Sequence, residues 1–188
     1  MHPDAEKLLA EYPNINMVEA LITDCNGAAR GKWLPIGKLS SLLTEGIKLP
    51  KSAIAQDAWG RDVPSIALDN GDIDGWCQVI PGSLKPVLGS HGVDQAQVVL
   101  TMFKDNGSPL LSDPRQVLAH VTQALEAKGL YPRVAIELEF NLFDRQTADQ
   151  SIRDALPKAH QTGGNLYGLT ALDEHQALLE ALREYFDT

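Results

Sequence analysis

The sequence predicts an α+β protein in two parts: a small mixed sheet over residues 1–107 and a helix-strand-loop-helix succession over residues 108–188. Three observations carry this. As far as Phe103 the apolar residues gather in strand-length runs separated by Gly, Pro, Asn and Asp. From about Ser108 to Asp113 the pattern changes to a helical period. Strict alternation then returns over Arg133-Val134-Ala135-Ile136-Glu137-Leu138-Glu139-Phe140-Asn141-Leu142-Phe143, which places two carboxylates on one side of a strand.

The elements follow in order. Asp4 to Tyr12 makes a short helix that Pro13 stops, and Ile15 to Thr23 is rich in strand formers. Asp24-Cys25-Asn26-Gly27 contains Asn-Gly, whose residues tolerate positive φ, so Ala28 to Leu34 returns as the second strand of a hairpin. Pro35 to Leu43 reads as a helix. Pro50 to Asp74 reads as a long irregular loop, a kind of segment that often carries function. Gly75 to Ile80 and Gln97 to Phe103 are further strands, and Asp105-Asn106-Gly107 turns the chain. Asp113 is placed as an N-cap with Pro114 at the first helical position and Gln116 completing a capping-box pattern. Val117, Leu118, Val121 and Leu125 share one face of that helix, and Gly129 ends it. Asp144 to Gly168 reads as an exposed loop, and Thr170 or Asp173 caps a last helix whose Leu178, Leu182 and Tyr185 share a face.

Composition excludes several classes. With 188 residues, 44% of them hydrophobic and 22% charged, the chain can bury one comfortable core or two small ones. A net charge of −9 with scattered basic residues argues against a nucleic-acid or anionic-membrane surface; polyphosphate recognition would need counter-charge from metals. There is no bilayer-length apolar run, and Met1-His2-Pro3-Asp4 lacks the parts of a signal peptide, so the expected location is the cytoplasm. Cys25 and Cys77 have no Cys-x-x-Cys or histidine spacing and are expected as free thiols.

The strongest candidate site is the pair Glu137 and Glu139. In a strand their Cα atoms would be roughly 6.5–7 Å apart, a separation that suits two neighbouring hard cations such as Mg²⁺ or Mn²⁺. Alternation alone fits a wetted sheet face better still, because exposed faces of antiparallel sheets commonly carry Glu. A glycosidase-like acid/base pair is disfavoured, since such carboxylates flank a bond from opposing positions.

Three stretches together resemble the glutamine synthetase family: Thr23-Asp24-Cys25-Asn26-Gly27-Ala28-Ala29-Arg30-Gly31-Lys32, Pro109-Leu110-Leu111-Ser112-Asp113-Pro114-Arg115 with its helix, and Val134 to Asp144 around Glu137-x-Glu139-Phe140. The resemblance runs through essentially the whole chain. It implies an N-terminal β-grasp-like domain over 1–107 and the opening of a catalytic domain over 108–188. Within the family the chain looks most like the γ-glutamylpolyamine (γ-glutamylputrescine) synthetase branch. Ammonia-using members carry Phe-Asp-Gly-Ser-Ser, where this chain reads Ile54-Ala55-Gln56-Asp57-Ala58-Trp59-Gly60.

The implied activity is ATP-dependent ligation of the γ-carboxylate of glutamate to an amine through a γ-glutamyl phosphate, with putrescine or another polyamine favoured. ATP is the co-substrate and Mg²⁺ or Mn²⁺ the cofactor. By similarity Glu137 and Glu139 are metal ligands, on the nucleotide and amino-acid sides respectively, and Asp57 is the carboxylate lent to a neighbouring subunit's amine site. Taken by itself Asp57 fits a turn-capping acid equally well. Trp59 and Trp76 are candidate walls of an amine channel, though a buried tryptophan is more often core. A ring-forming homo-oligomer with sites between subunits is also implied. The family's other metal ligands, its glutamate-binding arginines and its ATP elements would lie beyond Thr188, so these 188 residues are expected to be inactive alone. The alternatives are an ammonia-using glutamine synthetase and a catalytically silent binding or regulatory relative.

Overall fold

A computed structural model of the chain describes residues 1–67, 73–89, 92–140 and 169–187. It divides into two compact units, Met1–Arg133 and Val134–Thr188.

The first unit is built on one mixed sheet. Its strands are β1 (Met17–Thr23), β2 (Ala29–Pro35), β3 (Ile47–Pro50), β4 (Asp74–Val79), β5 (Lys85–Gly89) and β6 (Gly92–Phe103). They lie in the order β2-β1-β6-β4-β3, with β5 also paired to β6. β1 runs parallel to β6, Met17 opposite Gln95 through Leu21 opposite Val99; every other pairing is antiparallel.

Alternation decides which face of the sheet is covered. Val18, Ala20 and Ile22 of β1 and Ala96, Val98, Leu100 and Met102 of β6 are buried. They form one cluster with Ala5 and Leu8 of helix α1 (Pro3–Glu11) and Leu39 and Leu42 of α2 (Leu39–Glu45). Burying each of the Val, Leu, Ile and Met side chains stabilises by about 1.5–3 kcal/mol, so the sheet and these two helices make the core of the unit. α1 starts at the N-cap His2, whose Nδ1 accepts from the Asp4 N–H, with Pro3 at the first position. α2 stops at Gly46, where φ is 71° and a Cβ would collide with the Cys77 carbonyl; only glycine allows both the turn and that close approach.

Two of these strands carry no clear signal in the sequence. β3 is a four-residue strand ending at Pro50, too short for alternation to register. β5 contains Pro86, a residue that by itself reads as punctuation. Among the described residues β5 pairs with β6 alone, and such an edge position tolerates proline.

A one-turn helix, α3 (Pro64–Ala67), lies within the expected long loop, and the helix after the sheet, α4 (Pro114–Glu126), starts as expected at Asp113. The capping-box reading of Gln116 is corrected: its side-chain Nε2 donates to Thr101 Oγ1 at 2.8 Å. Asp113, fully buried, joins helix and sheet. Its Oδ1 accepts from the Arg115 N–H at 2.9 Å, and its Oδ2 accepts from Thr101 Oγ1 at 2.8 Å and the Met102 N–H at 2.7 Å. At the other end Gly129 adopts φ 71° and the Leu130 N–H reaches back to the Leu125 carbonyl, a Schellman closure. The expected apolar face of α4 is largely open, with Val117, Leu118 and Val121 exposed.

In the second unit residues 134–140 form no strand. This corrects the expected strand over 133–143 as far as its described part extends; positions 141–143 and the expected loop 144–168 lie outside the described residues. Val134 (86% exposed), Ile136, Leu138 and Phe140 are all open to solvent. Alternation specifies two faces, but a strand also needs a neighbour for its N–H and C=O groups, and no described residue pairs with this run. The last helical region is two helices, α5 (Leu169–Glu174) and α6 (Gln176–Asp187). Helix therefore begins before Thr170 and Asp173, so neither is its cap.

Candidate functional site

Asp57 sits on a tight loop. The Val63 N–H donates to the Ala55 carbonyl at 2.9 Å, the Asp57 N–H to the Arg61 carbonyl at 2.8 Å and the Gly60 N–H to the Asp57 carbonyl at 2.9 Å. The turn is made at Gly60, φ 76°. The Asp57 carboxylate is used inside this loop. Oδ1 accepts from the Trp59 N–H at 2.8 Å and the Arg61 N–H at 3.0 Å, while Oδ2 accepts from Arg61 Nε at 2.9 Å. The Arg61 N–H, followed by the Trp59 N–H and the Arg61 guanidinium, holds the carboxyl below its ordinary range against a partial desolvation that would raise it. Asp57 is thus a turn-organising anion, ionised at neutral pH.

The hairpin between β1 and β2 supports this loop. It is a five-residue connection, Asp24 to Ala28, closed by the Asp24 N–H donating to the Ala28 carbonyl at 3.0 Å, with Gly27 at φ 79°. Asn26 Nδ2 donates to the carbonyls of Gln56 at 2.8 Å and Asp57 at 3.3 Å, and the Cys25 N–H donates to the Ile54 carbonyl at 3.3 Å. Asp24, 1% exposed, holds the hairpin's shape. Its Oδ1 accepts from the Asn26 and Ala28 N–H groups, both at 2.9 Å, and its Oδ2 from Arg30 Nε at 3.0 Å. In the sequence Asn26 reads as a turn former, and neither Asp24 nor Arg61 stands out. The Asp-x-Asn pattern and the four-residue spacing of Asp57 and Arg61 were the available signals.

Burial alone would raise the Asp24 carboxyl. The Ala28 N–H, Arg30 and the Asn26 N–H outweigh it and hold the group below its ordinary value. With a folded pKa below the unfolded one, the stabilisation from Asp24 is complete above the unfolded value near ~4. It is lost as pH falls through the folded value. Thermal unfolding followed from pH 7 to 3 should therefore show an acid arm that flattens in Asp24→Asn; an unchanged arm in that variant would refute the assignment.

The two tryptophans are not brought together. Trp59 is 80% exposed, with the Arg61 Cζ 5.2 Å from its ring centroid. Trp76 lies under Lys48, 6.0 Å from its centroid, in an open cavity of about 480 Å³ that it lines with Gln78, Phe103 and Lys104. No residue of the Asp57 loop lines that cavity. Cys25 and Cys77 are free, and burial pushes the Cys77 thiol up to about 12.

Glu137 and Glu139 belong to the second unit and are exposed. Their carboxylate oxygens are of the kind a hard divalent cation takes, but such an ion takes six or more ligands. Among the described residues no group of three or more His, Cys, Asp or Glu side chains comes together. The pair would therefore supply only part of a coordination shell. Among the same residues no helix is long and apolar enough to cross a membrane.

Residues 111–188 match the catalytic domain of glutamine synthetase. Over 145 residues, 76% of its length, the chain is 39% identical to γ-glutamylputrescine synthetase PuuA of Escherichia coli. It is 25% identical over 172 residues to the glutamine synthetase of Pyrococcus furiosus. It spans 30% of the former protein and 34% of the latter. In fold, 68% of the chain superposes on 26% of GmaS in its complex with ADP at a TM-score of 0.52 and 20% identity. The corresponding shares for the Plasmodium falciparum glutamine synthetase are 66% and 22%, with a TM-score of 0.52 and 15% identity. The chain resembles the glutamine synthetase family, with the catalytic-domain match confined to residues 111–188. Between the two curated relatives, it shares more sequence with γ-glutamylputrescine synthetase than with the archaeal glutamine synthetase.

Proposed function

We propose that the protein to which these residues belong is an ATP-dependent ligase joining the γ-carboxylate of glutamate to an organic amine through a γ-glutamyl phosphate, with putrescine or a related polyamine as acceptor. The observation that carries this is the 39% identity to γ-glutamylputrescine synthetase, against 25% to the glutamine synthetases. Residues 1–107 are the N-terminal β-grasp-like domain and 108–188 the opening of the catalytic domain, a division supported by the start of the catalytic-domain match at residue 111.

Glu137 and Glu139 hold Mg²⁺ or Mn²⁺. Bound there, the cations supply the positive charge that lets a nucleotide and a carboxylate approach each other. Asp57, an anion on a loop pinned by Asn26, binds the protonated amine and accepts its proton before attack. It is lent across a subunit boundary in a ring-forming homo-oligomer. The open apolar side of residues 134–140 is the kind of surface that the rest of a catalytic domain would cover, so these 188 residues alone are inactive.

The test is glutamate-dependent ADP release by the protein with its complete catalytic domain, with Mg²⁺, comparing putrescine, spermidine, ethanolamine and ammonium. Preference for an organic amine is expected. Use of ammonium alone would favour the second reading, a glutamine synthetase, which similarity to the Pyrococcus enzymes over 91% of the chain supports. No turnover with any of the four acceptors would point to a silent relative.

A further inference from the structure

The loop 56–62 carries a cation already in place, and that cation is the chain's own. Arg61 Nε donates to Asp57 Oδ2 at 2.9 Å while its guanidinium lies over the Trp59 ring at 5.2 Å. A carboxylate oxygen and an aromatic face thus meet around one positive group, the arrangement that recognises ammonium and guanidinium ions. All three side chains reach solvent: the Arg61 side chain is 72% exposed and that of Asp57 28%, and Trp59 is open.

The two oxygens of Asp57 are held differently. Oδ1 is tied to backbone N–H groups of Trp59 and Arg61, which stay in place whatever the Arg61 side chain does. Oδ2 is held only by the guanidinium among the hydrogen bonds described. If Arg61 swings away, the carboxylate keeps its position and presents a free oxygen beside a bare indole face. An exposed ion pair of this kind is weak enough for such an exchange.

We propose that Asp57 Oδ2 and the Trp59 indole form a seat for the ammonium end of an aliphatic amine, and that Arg61 occupies this seat as an internal stand-in until the amine displaces it. The inference rests on the amine-ligase reading above and adds to it the basis of acceptor choice. An alkylammonium lays its first methylenes on the indole while its nitrogen meets Oδ2. Ammonium has no carbon to place there, so Trp59 favours organic amines. Arg61 lowers the apparent affinity for every cation that enters, because the seat is open for only part of the time.

The two side chains therefore have opposite signs, which makes the idea testable. In the protein with its complete catalytic domain, KM is measured separately for putrescine and for ammonium, with KM for glutamate as the reference. Arg61→Gln is expected to lower the putrescine KM roughly two- to fivefold. Trp59→Ala is expected to raise it about tenfold, with a change below about twofold for ammonium. Calorimetric titration of putrescine should show the same two directions, which separates binding from turnover. Both positions are exposed, and thermal unfolding checks that the variants remain folded. A putrescine KM that rises in Arg61→Gln, or a Trp59→Ala effect equal for both acceptors, overturns the stand-in while leaving the ligase reading intact. A wild-type protein that uses no organic amine overturns the ligase reading and the inference with it.

Discussion

Asp113→Ala lowers the stability of the first unit by about 4 kcal/mol, because one fully buried carboxylate serves both the sheet and the helix. Its removal strands the Met102 N–H and leaves Thr101 Oγ1, which also accepts from Gln116, without its own acceptor. The Arg115 N–H at the start of α4 is uncapped as well. A lost N-cap alone costs about 1 kcal/mol, and each stranded buried group about 1–3 kcal/mol. The midpoint of thermal unfolding should fall by more than about 10 °C. Asp113→Asn is no remedy, since either flip of the amide sets its N–H against a backbone N–H, that of Met102 or that of Arg115. Thr101→Val, which removes one bond and leaves Asp113 in place, is expected to cost only about 1–1.5 kcal/mol. Urea unfolding of the three variants is the measurement; Asp113→Ala within about 1 kcal/mol of the parent would show that the helix is not attached in this way.

Glu137→Gln and Glu139→Gln are expected to lower glutamate-dependent ADP release about 10³-fold or more in the protein with its complete catalytic domain, on the proposal that both carboxylates hold divalent cations. Each substitution keeps the shape and removes one unit of negative charge, and stabilisation by a bound cation is worth several kcal/mol in the transition state. Both residues are exposed here and neither supports the core, so unfolding midpoints should stay within about 2 °C of the parent. Raising Mn²⁺ should recover part of the rate, and Mn²⁺ binding followed by electron paramagnetic resonance should weaken in parallel. Full activity in either variant at low Mn²⁺ would remove that residue from the metal site.

Much of the fold could be read from residue order. The helix stopped by Pro13, the hairpin around Asn26-Gly27, and the Asp113-Pro114 start and Gly129 end of α4 are local decisions, made by side chains acting within a few residues of themselves. The resemblance to the glutamine synthetase family could also be read, because Glu137-x-Glu139-Phe140 and Asp113-Pro114-Arg115 lie in the stretch that matches the catalytic domain. Gln116 shows where local reading ends. Its spacing from Asp113 fits a capping box, yet Thr101, fifteen residues away, offers a buried partner and takes the side chain.

The sequence by itself determined the alternation, the caps and the turns, since these depend on φ, ψ and side-chain reach over one or two turns of chain. Only the tertiary structure decided the partners. It set β1 parallel to β6 between β2 and β4, put the Asn26 amide beneath the Asp57 loop, and closed the Asp57 carboxylate on Arg61 with Trp59 over the same guanidinium. The physical reason is that pairing depends on which donors and apolar faces are left over after local structure forms. The run 134–140 makes the same point from the other side: it has the alternation of a strand, but no described neighbour accepts its hydrogen bonds, and it remains unpaired.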